Sequence, residues 1–566
     1  MSDPGSENLL WADALINGLT MAGVRRAVIS PGSRSTPLAL ACSRHPHIST
    51  WTQVDERCAA FFALGLAKQN QSPVAVIATS GSAPAHWYPA VIEANHSGTP
   101  LLLLSADRPP ELQGCGANQT TDQKHLFGHQ VRAFFDPGPP RTGTEALEQI
   151  KDLGLEATHQ TTGQNPGPVH INLPFREPLI PDPITPLSVN HTVITTPKIH
   201  LQPDQAQIAR ILEITSHGAG MIICGPDIPQ DDFPPAVAEL ARRMGVPLLA
   251  DPLSNLRFGI HGQSNIISRY DTFLRNRMFA SEIHPEWVLR FGATPVSKTL
   301  LQYLEMSKPT TILCAPRGDW PDPLHHTSEM VRTEPLELCN SLMERSQSGF
   351  KPEWLQRFQL EEERVRQIHL GIPGDSPNEQ LTIEQLIQSI PAGSTLFSGN
   401  SLPIRHLDSW SGSGAKPIRI LANRGVSGID GNISTLLGLG TGAETPIFGL
   451  LGDLACYHDM NGLLAAHDGD GVLVLLNNGG GGIFGYLPQA ELDQFEQHWL
   501  TPTNLDFSKV AELYSLNFYR ITQQSEFQPV LDTAIQEPGF SLIEVMIDRE
   551  QSMARHRAWL DTIISS

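Results

Sequence analysis

The chain has 566 residues, with 39 Lys and Arg against 59 Asp and Glu and a formal net charge of −20. That length exceeds what one hydrophobic core supports and predicts about three or four domains. The acidic balance and the scarcity of Lys/Arg runs exclude nucleic acid or an anionic membrane as the main partner, since both demand a basic face.

Seven cysteines, odd in number and never spaced CxxC, suggest neither a disulfide framework nor a structural zinc site, and fit a reducing cytoplasm. The opening stretch MSDPGSENLL lacks the basic-then-apolar layout of a signal peptide, and the run LLLL at 101–104 falls far short of the roughly 20 residues that span a bilayer. The expectation is a soluble, cytoplasmic protein acting on small molecules.

In chain order, short apolar runs appear as RAVIS (26–30), VAVIATS (74–80), LLLLSAD (101–107), VHINL (169–173), GMIICG (220–225), TILCAP (311–316), IFGLLGD (447–453) and VLVLLNN (472–478). Each is followed by helix-like sequence, for example ERCAAFFALGLAKQ after Asp55. Continuous apolar strands separated by helices read as parallel sheets covered on both faces, so the predicted fold is α/β, with three doubly wound parallel-sheet domains. The Pro- and Thr-rich stretch 174–205 and the stretch GIPGDSPNEQ (371–380) mark the breaks, giving domains over 1–180, 200–370 and 380–566. No internal repeat of 20–50 residues is visible. In such sheets ligands bind beyond the C-terminal ends of strands, and the chemistry is sought there.

Two of those ends stand out. Gly452-Asp453 follows one strand, and Asn477-Asn478 with four consecutive glycines, 479–482, follows the next. A run of four glycines is costly unless the backbone enters conformations, or approaches a neighbour, in ways that a Cβ forbids. Asp453, the Asn478 amide oxygen and a backbone carbonyl in the glycine turn, that of Gly480, are hard oxygen ligands suited to Mg²⁺, with coordination positions left for a diphosphate. A helix N-terminus is expected after the glycines, offering N–H groups to the anion. Glu56 opens the helical stretch in VDERCAAFFALGLA.

The Gly-Asp and Asn-Asn-Gly pair resembles the diphosphate motif of the thiamin-diphosphate (ThDP) enzymes. Leu454 replaces the usual third glycine and the spacing is slightly short, but no ligand is lost. SPGSRSTPLALA (30–41), VDERCAAFFALGLAK (54–68), TSGSAPAHWYPAVIEA (79–94), SADRPPELQGCGANQT (105–120), FSGNSLPIRHLD (397–408) and ANRGVSGIDGNIST (422–435) narrow the resemblance. They are similar to the members that decarboxylate 2-oxoglutarate and add the succinyl carbanion equivalent to isochorismate, in menaquinone or phylloquinone biosynthesis. The likeness covers the first and last thirds closely and the middle third loosely.

The resemblance implies pyrimidine-binding, central and diphosphate-binding domains in that order, ThDP with Mg²⁺ or alternatively Mn²⁺, and a homodimer or homotetramer with sites between subunits. It implies Glu56 as the carboxylate that activates the aminopyrimidine ring, Ile429 as the apolar wedge beneath the cofactor, and Ile483 and Phe484 as walls. Metal ligands are Asp453, Asn478 and Gly480. Isochorismate falls to Ser33, Arg34, Arg108, Asn118 and Gln119, while Ser401, Arg405 and Arg424 fall to 2-oxoglutarate or its adduct. Lys298 matches a further basic residue of the family, although Thr299 stands where some members carry arginine. Bidentate guanidinium binding of carboxylates is the physical reason that two carboxylate-rich substrates call for several arginines. The alternatives are a carboligase of the acetolactate synthase kind, which does not need these arginines together, a nucleotide-binding oxidoreductase, which lacks its GxGxxG here, and a cofactor-binding regulator without turnover. His86, His406 and His458 lie near the motifs and are assigned no role.

Overall fold

The structure, a computed structural model, describes residues 3–182, 201–226, 232–345, 352–370 and 375–565. Both proposed inter-domain stretches fall partly outside these residues. Among the described residues the strands form three six-stranded sheets, and every neighbouring pair of strands is parallel.

The first sheet contains β1 (Arg26–Ile29), β2 (Ser49–Thr52), β3 (Val74–Ala78), β4 (Leu101–Asp107), β5 (Phe134–Phe135) and β6 (Val169–Pro174), in the order β2-β1-β3-β4-β6-β5. The second contains β7 (Gly220–Cys224), β8 (Leu248–Ala250), β9 (Ile266–Ile267), β10 (Trp287–Phe291), β11 (Thr310–Cys314) and β12 (Thr327–Val331), in the order β12-β11-β10-β7-β8-β9. The third contains β13 (Thr395–Ser398), β14 (Arg419–Ala422), β15 (Ile447–Gly452), β16 (Gly471–Asn477), β17 (Asn517–Ile521) and β18 (Phe540–Met546), in the order β14-β13-β15-β16-β18-β17. Counted from its own first strand, the third sheet repeats the order of the first, a similarity of topology that the sequence does not display.

All eight apolar runs form strands. Three of the strands that escape a reading of apolar runs show a physical reason. β2, STWT, is polar and largely exposed at an edge. The buried strand β10 carries Arg290, held by Asp322 and the Pro321 carbonyl, and buried β18 carries Glu544, held by Asn477 and Arg520. A central strand that pairs its charge loses its uninterrupted apolar run.

Two compact units emerge. One comprises residues 1–198, 423–443 and 458–469, and the other 199–422, 444–457 and 470–566. Within the first, helix Glu56–Asn70 is capped by Asp55, whose carboxylate accepts the Arg57 and Cys58 N–H groups (3.0 and 3.2 Å). This helix lies against helix Asn432–Gly440 at backbone contact: a Cβ on Gly65 would come 2.2 Å from the Thr435 carbonyl oxygen, and one on Gly438 would come 2.1 Å from that of Phe62. Among the described residues, no helix is long and apolar enough to cross a membrane.

Candidate active site

In a doubly wound sheet the crevice opens where the strand order reverses, between the first strand and the strand on its other side. In the first sheet that point lies between β1 and β3, and Ser33 and Arg34 follow β1 while Ser80 and Gly81 follow β3. In the third sheet it lies between β13 and β15, and Ser401 follows one while Asp453 follows the other. Arg108 follows β4 and Asn478 follows β16, the next strands out; Glu56 comes after β2 and Arg424 after β14, the strands on the opposite side. The candidate residues of the first and third sheets therefore stand at topologically equivalent strand ends.

In the first unit, Arg34 is buried, donating to the Phe175 carbonyl (2.9 Å) and to Glu177 (2.7 Å), whose side chain is 72% exposed. Arg108 donates to the Ser80 hydroxyl. Burial, and then the neighbouring Arg34 guanidinium, hold its pKa below the usual arginine value. Two cations so placed relieve each other when an anion binds. Ser80 also accepts Gln119 at its carbonyl (3.1 Å) and donates to the Gln119 carbonyl (2.9 Å), so Arg108 and Gln119 meet on one turn. Gln119 holds φ +56°, an uncommon conformation for a residue with a side chain. Ser33 and Asn118 are exposed beside them in the chain.

A network invisible to motif reading supports this turn. Buried Gln123 accepts the Gly81 N–H (2.9 Å) and donates to Asn172 (3.0 Å); Asn172 in turn donates to Asp107 (2.9 Å), which accepts the Arg108 N–H (2.7 Å). Burial raises the Asp107 pKa despite these donors.

Glu56 is half-buried, and its carboxylate makes no side-chain hydrogen bond or ion pair among the described residues. It lines a cavity of about 410 Å³ with Asp55, Arg57, His86 and Asn461. His86, given no role from sequence, is thus an exposed neighbour of Glu56, while His458 contributes its carbonyl to Arg57 (2.8 Å). Burial would raise Asp55, but the Asn461 amide, backbone N–H groups and Arg57 outweigh it and hold its pKa low. Behind this helix start, Asp459 accepts the Ser434 N–H (2.7 Å) and the Cys58 thiol (3.6 Å). Arg424 is half-buried, and Ile429 is 37% exposed.

In the second unit the glycine run explains itself. Gly479 and Gly480 have φ +72° and +129°, and a Cβ on Gly480 would lie 2.1 Å from the Leu500 carbonyl oxygen. The turn continues into a short 3₁₀ segment, Gly482–Tyr486, in place of the expected helix start, and the Gly481 N–H donates to the Leu500 carbonyl (2.7 Å). The two asparagines divide their work. Asn477 donates to Glu544 (2.7 Å) and accepts the Gly479 N–H (3.1 Å), bracing the turn. Asn478 Oδ1 is buried without a hydrogen-bond partner among the described residues.

Asp453 is 3% exposed; burial pushes its pKa up to about 6, against backbone N–H groups that include that of Gly480. The Gly480 carbonyl accepts the Gly482 N–H (2.9 Å) and keeps a second lone pair. A buried carboxylate, an unsatisfied amide oxygen and a carbonyl form the donor set of a hard divalent cation, so these residues fit one. Ile483 and Phe484 are half-buried on the 3₁₀ segment.

Ser401 heads helix Leu402–Trp410 with φ +71° and ψ −125°, a region almost reserved for glycine, and its carbonyl accepts Arg405 (2.5 Å). Such strain persists only where surroundings enforce it, and it gathers at functional sites. Pro403 sits in the first turn of that helix, where its missing N–H costs nothing. His406 is buried with its ring tilted against that of Trp410 (centroids 4.8 Å apart), and burial lowers its pKa to about 3, which makes it a neutral core histidine. Lys298 is exposed at the start of helix Lys298–Ser307, and no hydrogen bond or ion pair among the described residues joins it to the other candidates. Thr299 hydrogen-bonds Asp271, which already pairs with Arg275 (2.8 Å).

Residues 11–126 match the family described as "Thiamine pyrophosphate enzyme, N-terminal TPP binding domain", 195–398 match "Middle domain of thiamine pyrophosphate", and 415–545 match "Thiamine pyrophosphate enzyme, C-terminal TPP binding domain". Among the similar proteins is one from Dechloromonas aromatica (strain RCB), 42% identical over 552 residues that cover 96% of this chain and 99% of the relative. Others come from Geobacillus kaustophilus (strain HTA426), 40% identical over 97% of this chain and 96% of the relative, and Roseiflexus sp. (strain RS-1), 39% over 98% and 97%. All three are named 2-succinyl-5-enolpyruvyl-6-hydroxy-3-cyclohexene-1-carboxylate synthase.

Proposed function

The chain belongs to the thiamine pyrophosphate enzymes and, among them, to the family of these synthases; from that membership we propose that it decarboxylates 2-oxoglutarate and joins the succinyl unit to isochorismate. The observation that carries the reading is the match to synthases of that name along almost the whole of both chains.

When bound, ThDP supplies the electron sink for decarboxylation of the 2-oxo acid. Asp453, Asn478 Oδ1 and the Gly480 carbonyl would hold Mg²⁺, which would bind the cofactor's diphosphate. Glu56, free of any competing ion pair, is positioned to hydrogen-bond the aminopyrimidine ring and stabilise its protonated nitrogen. Ile429, Ile483 and Phe484 offer apolar contact to the rings.

Arg34 and Arg108, adjacent and poorly neutralised, take an isochorismate carboxylate. Glu177, whose side chain lies in solvent, gives up its place on Arg34 to the substrate carboxylate. Ser401, Arg405 and Arg424 receive 2-oxoglutarate and its adduct. The functional unit is a homodimer or a larger homo-oligomer, with sites shared between subunits.

The test is a coupled incubation of the protein with 2-oxoglutarate, isochorismate, ThDP and Mg²⁺, with product mass as the readout. The expected product carries a succinyl unit in place of lost CO₂. Unaltered isochorismate sinks the proposal.

A further inference from the structure

We infer that Glu93 is the positioning residue for the turn that carries Arg424 and Ile429, an inference that rests on the proposed role of Arg424 in 2-oxoglutarate decarboxylation. Glu93 lies in helix Tyr88–Ser97 and is 2% exposed. Its two carboxylate oxygens accept consecutive backbone N–H groups just after Arg424: Oε1 accepts that of Gly425 and Oε2 that of Val426, each at 2.9 Å. Lys68 supplies the countercharge at 3.5 Å from Oε1 and reaches Asn423 Oδ1 at 3.1 Å, so the residues on both sides of Arg424 are tied to one buried ion pair. Asn423 further donates to Thr435 (2.9 Å).

The turn needs such a clamp. Ser427 holds φ +60°, a conformation unfavourable for a residue with a side chain, and Val426 and Ile429 remain substantially exposed, so apolar burial does not fix this segment. Gly425 is admitted because a Cβ there would lie 2.6 Å from the Glu93 carbonyl oxygen and 2.9 Å from Oε2. Two parallel N–H donors require two acceptors side by side. A carboxylate provides them, whereas an amide turns its own donor toward one of the N–H groups.

The experiment uses the full chain with ThDP and Mg²⁺ and compares Glu93→Gln, Gly425→Ala, Arg424→Ala and the double variant Glu93→Gln/Arg424→Ala. In Glu93→Gln, amide hydrogen exchange across 423–431 accelerates at least about tenfold, as expected for the loss of one charge-assisted hydrogen bond. Exchange in helix Tyr88–Ser97 stays within about twofold of wild type. Acceptor-coupled 2-oxoglutarate decarboxylation falls about tenfold in kcat/KM on the same reasoning. The double variant is no slower than Arg424→Ala, because residues acting through one group are not additive. Gly425→Ala, which leaves Glu93 intact and forces the turn away from it, reproduces the exchange and kinetic changes even if Glu93→Gln folds poorly. Unchanged exchange over 423–431 overturns the inference whatever the substrate; equal multiplicative losses in the double variant also overturn it. Wild-type enzyme that ignores 2-oxoglutarate overturns the proposed function instead, and the exchange measurement still decides the role of Glu93.

Discussion

At the scale of single residues, the proposed chemistry rests on carboxylate and amide oxygens. Glu56 opens its helix beside a cavity, and among the described residues no cation pairs with its carboxylate. Glu56→Gln is expected to leave the fold intact and slow C2 proton exchange of bound ThDP by about 10²- to 10⁴-fold, since an amide cannot stabilise the protonated ring nitrogen. Proton NMR after acid quench reads this directly, and a wild-type rate would reduce Glu56 to a helix-end acid. Asn478 Oδ1 and Asp453 are the buried oxygens of the other site. Asp453→Ala and Asn478→Ala each remove a hard ligand, so Mg²⁺-dependent ThDP affinity should fall about ten- to a hundredfold, in line with roughly 1.5–3 kcal/mol per lost charged contact. A titration of ThDP at several Mg²⁺ concentrations checks it, and unchanged affinity in both variants places the diphosphate elsewhere.

At the scale of elements, buried carboxylates join helix starts to loops. Asp459 holds the first turn of helix Asn432–Gly440 through Ser434 and touches Cys58 near the start of helix Glu56–Asn70. Burial pushes its pKa up to about 6 from 3.8, with the Ser434 N–H and Arg57 offsetting only part. Between about pH 4 and 6 the folded chain therefore keeps a proton that the unfolded chain has lost, and stability falls as pH rises through that window, then levels. Asp459→Asn has no such titration, so its stability relative to wild type should improve by roughly 3 kcal/mol, two units' worth, between pH 4 and 7. Urea denaturation of both proteins at pH 4, 5.5 and 7 measures the difference; a gap independent of pH refutes the assignment. Nothing in the motif around Asp459 marks it in the sequence, because its role comes from the close approach of two helices at Gly65 and Gly438.

At the scale of the molecule, the proposed assignment separates the two half-reactions along the chain. Arg424→Ala should lower 2-oxoglutarate decarboxylation, assayed with an artificial electron acceptor, by about ten- to a hundredfold, from the loss of one charge-assisted contact. Arg34→Ala should leave that step nearly intact and instead raise the apparent KM for isochorismate or abolish product. The reverse pattern exchanges the two substrate assignments. By itself the sequence determined the α/β class and the strand ends where chemistry is sought, because apolar runs and glycine turns are local signals carried by neighbouring residues. It also marked Asp453 and Asn478, since their motif lies at the ends of two apolar strands adjacent in sequence. Only the tertiary structure decided that the first and third sheets share one strand order, that Asn477 braces while Asn478 Oδ1 is left unsatisfied, and that Glu93, Gln123 and Asp459 hold the working turns. Those roles depend on contacts between residues as far as 401 positions apart in the chain, and a buried polar group declares its purpose only when its partner is in place.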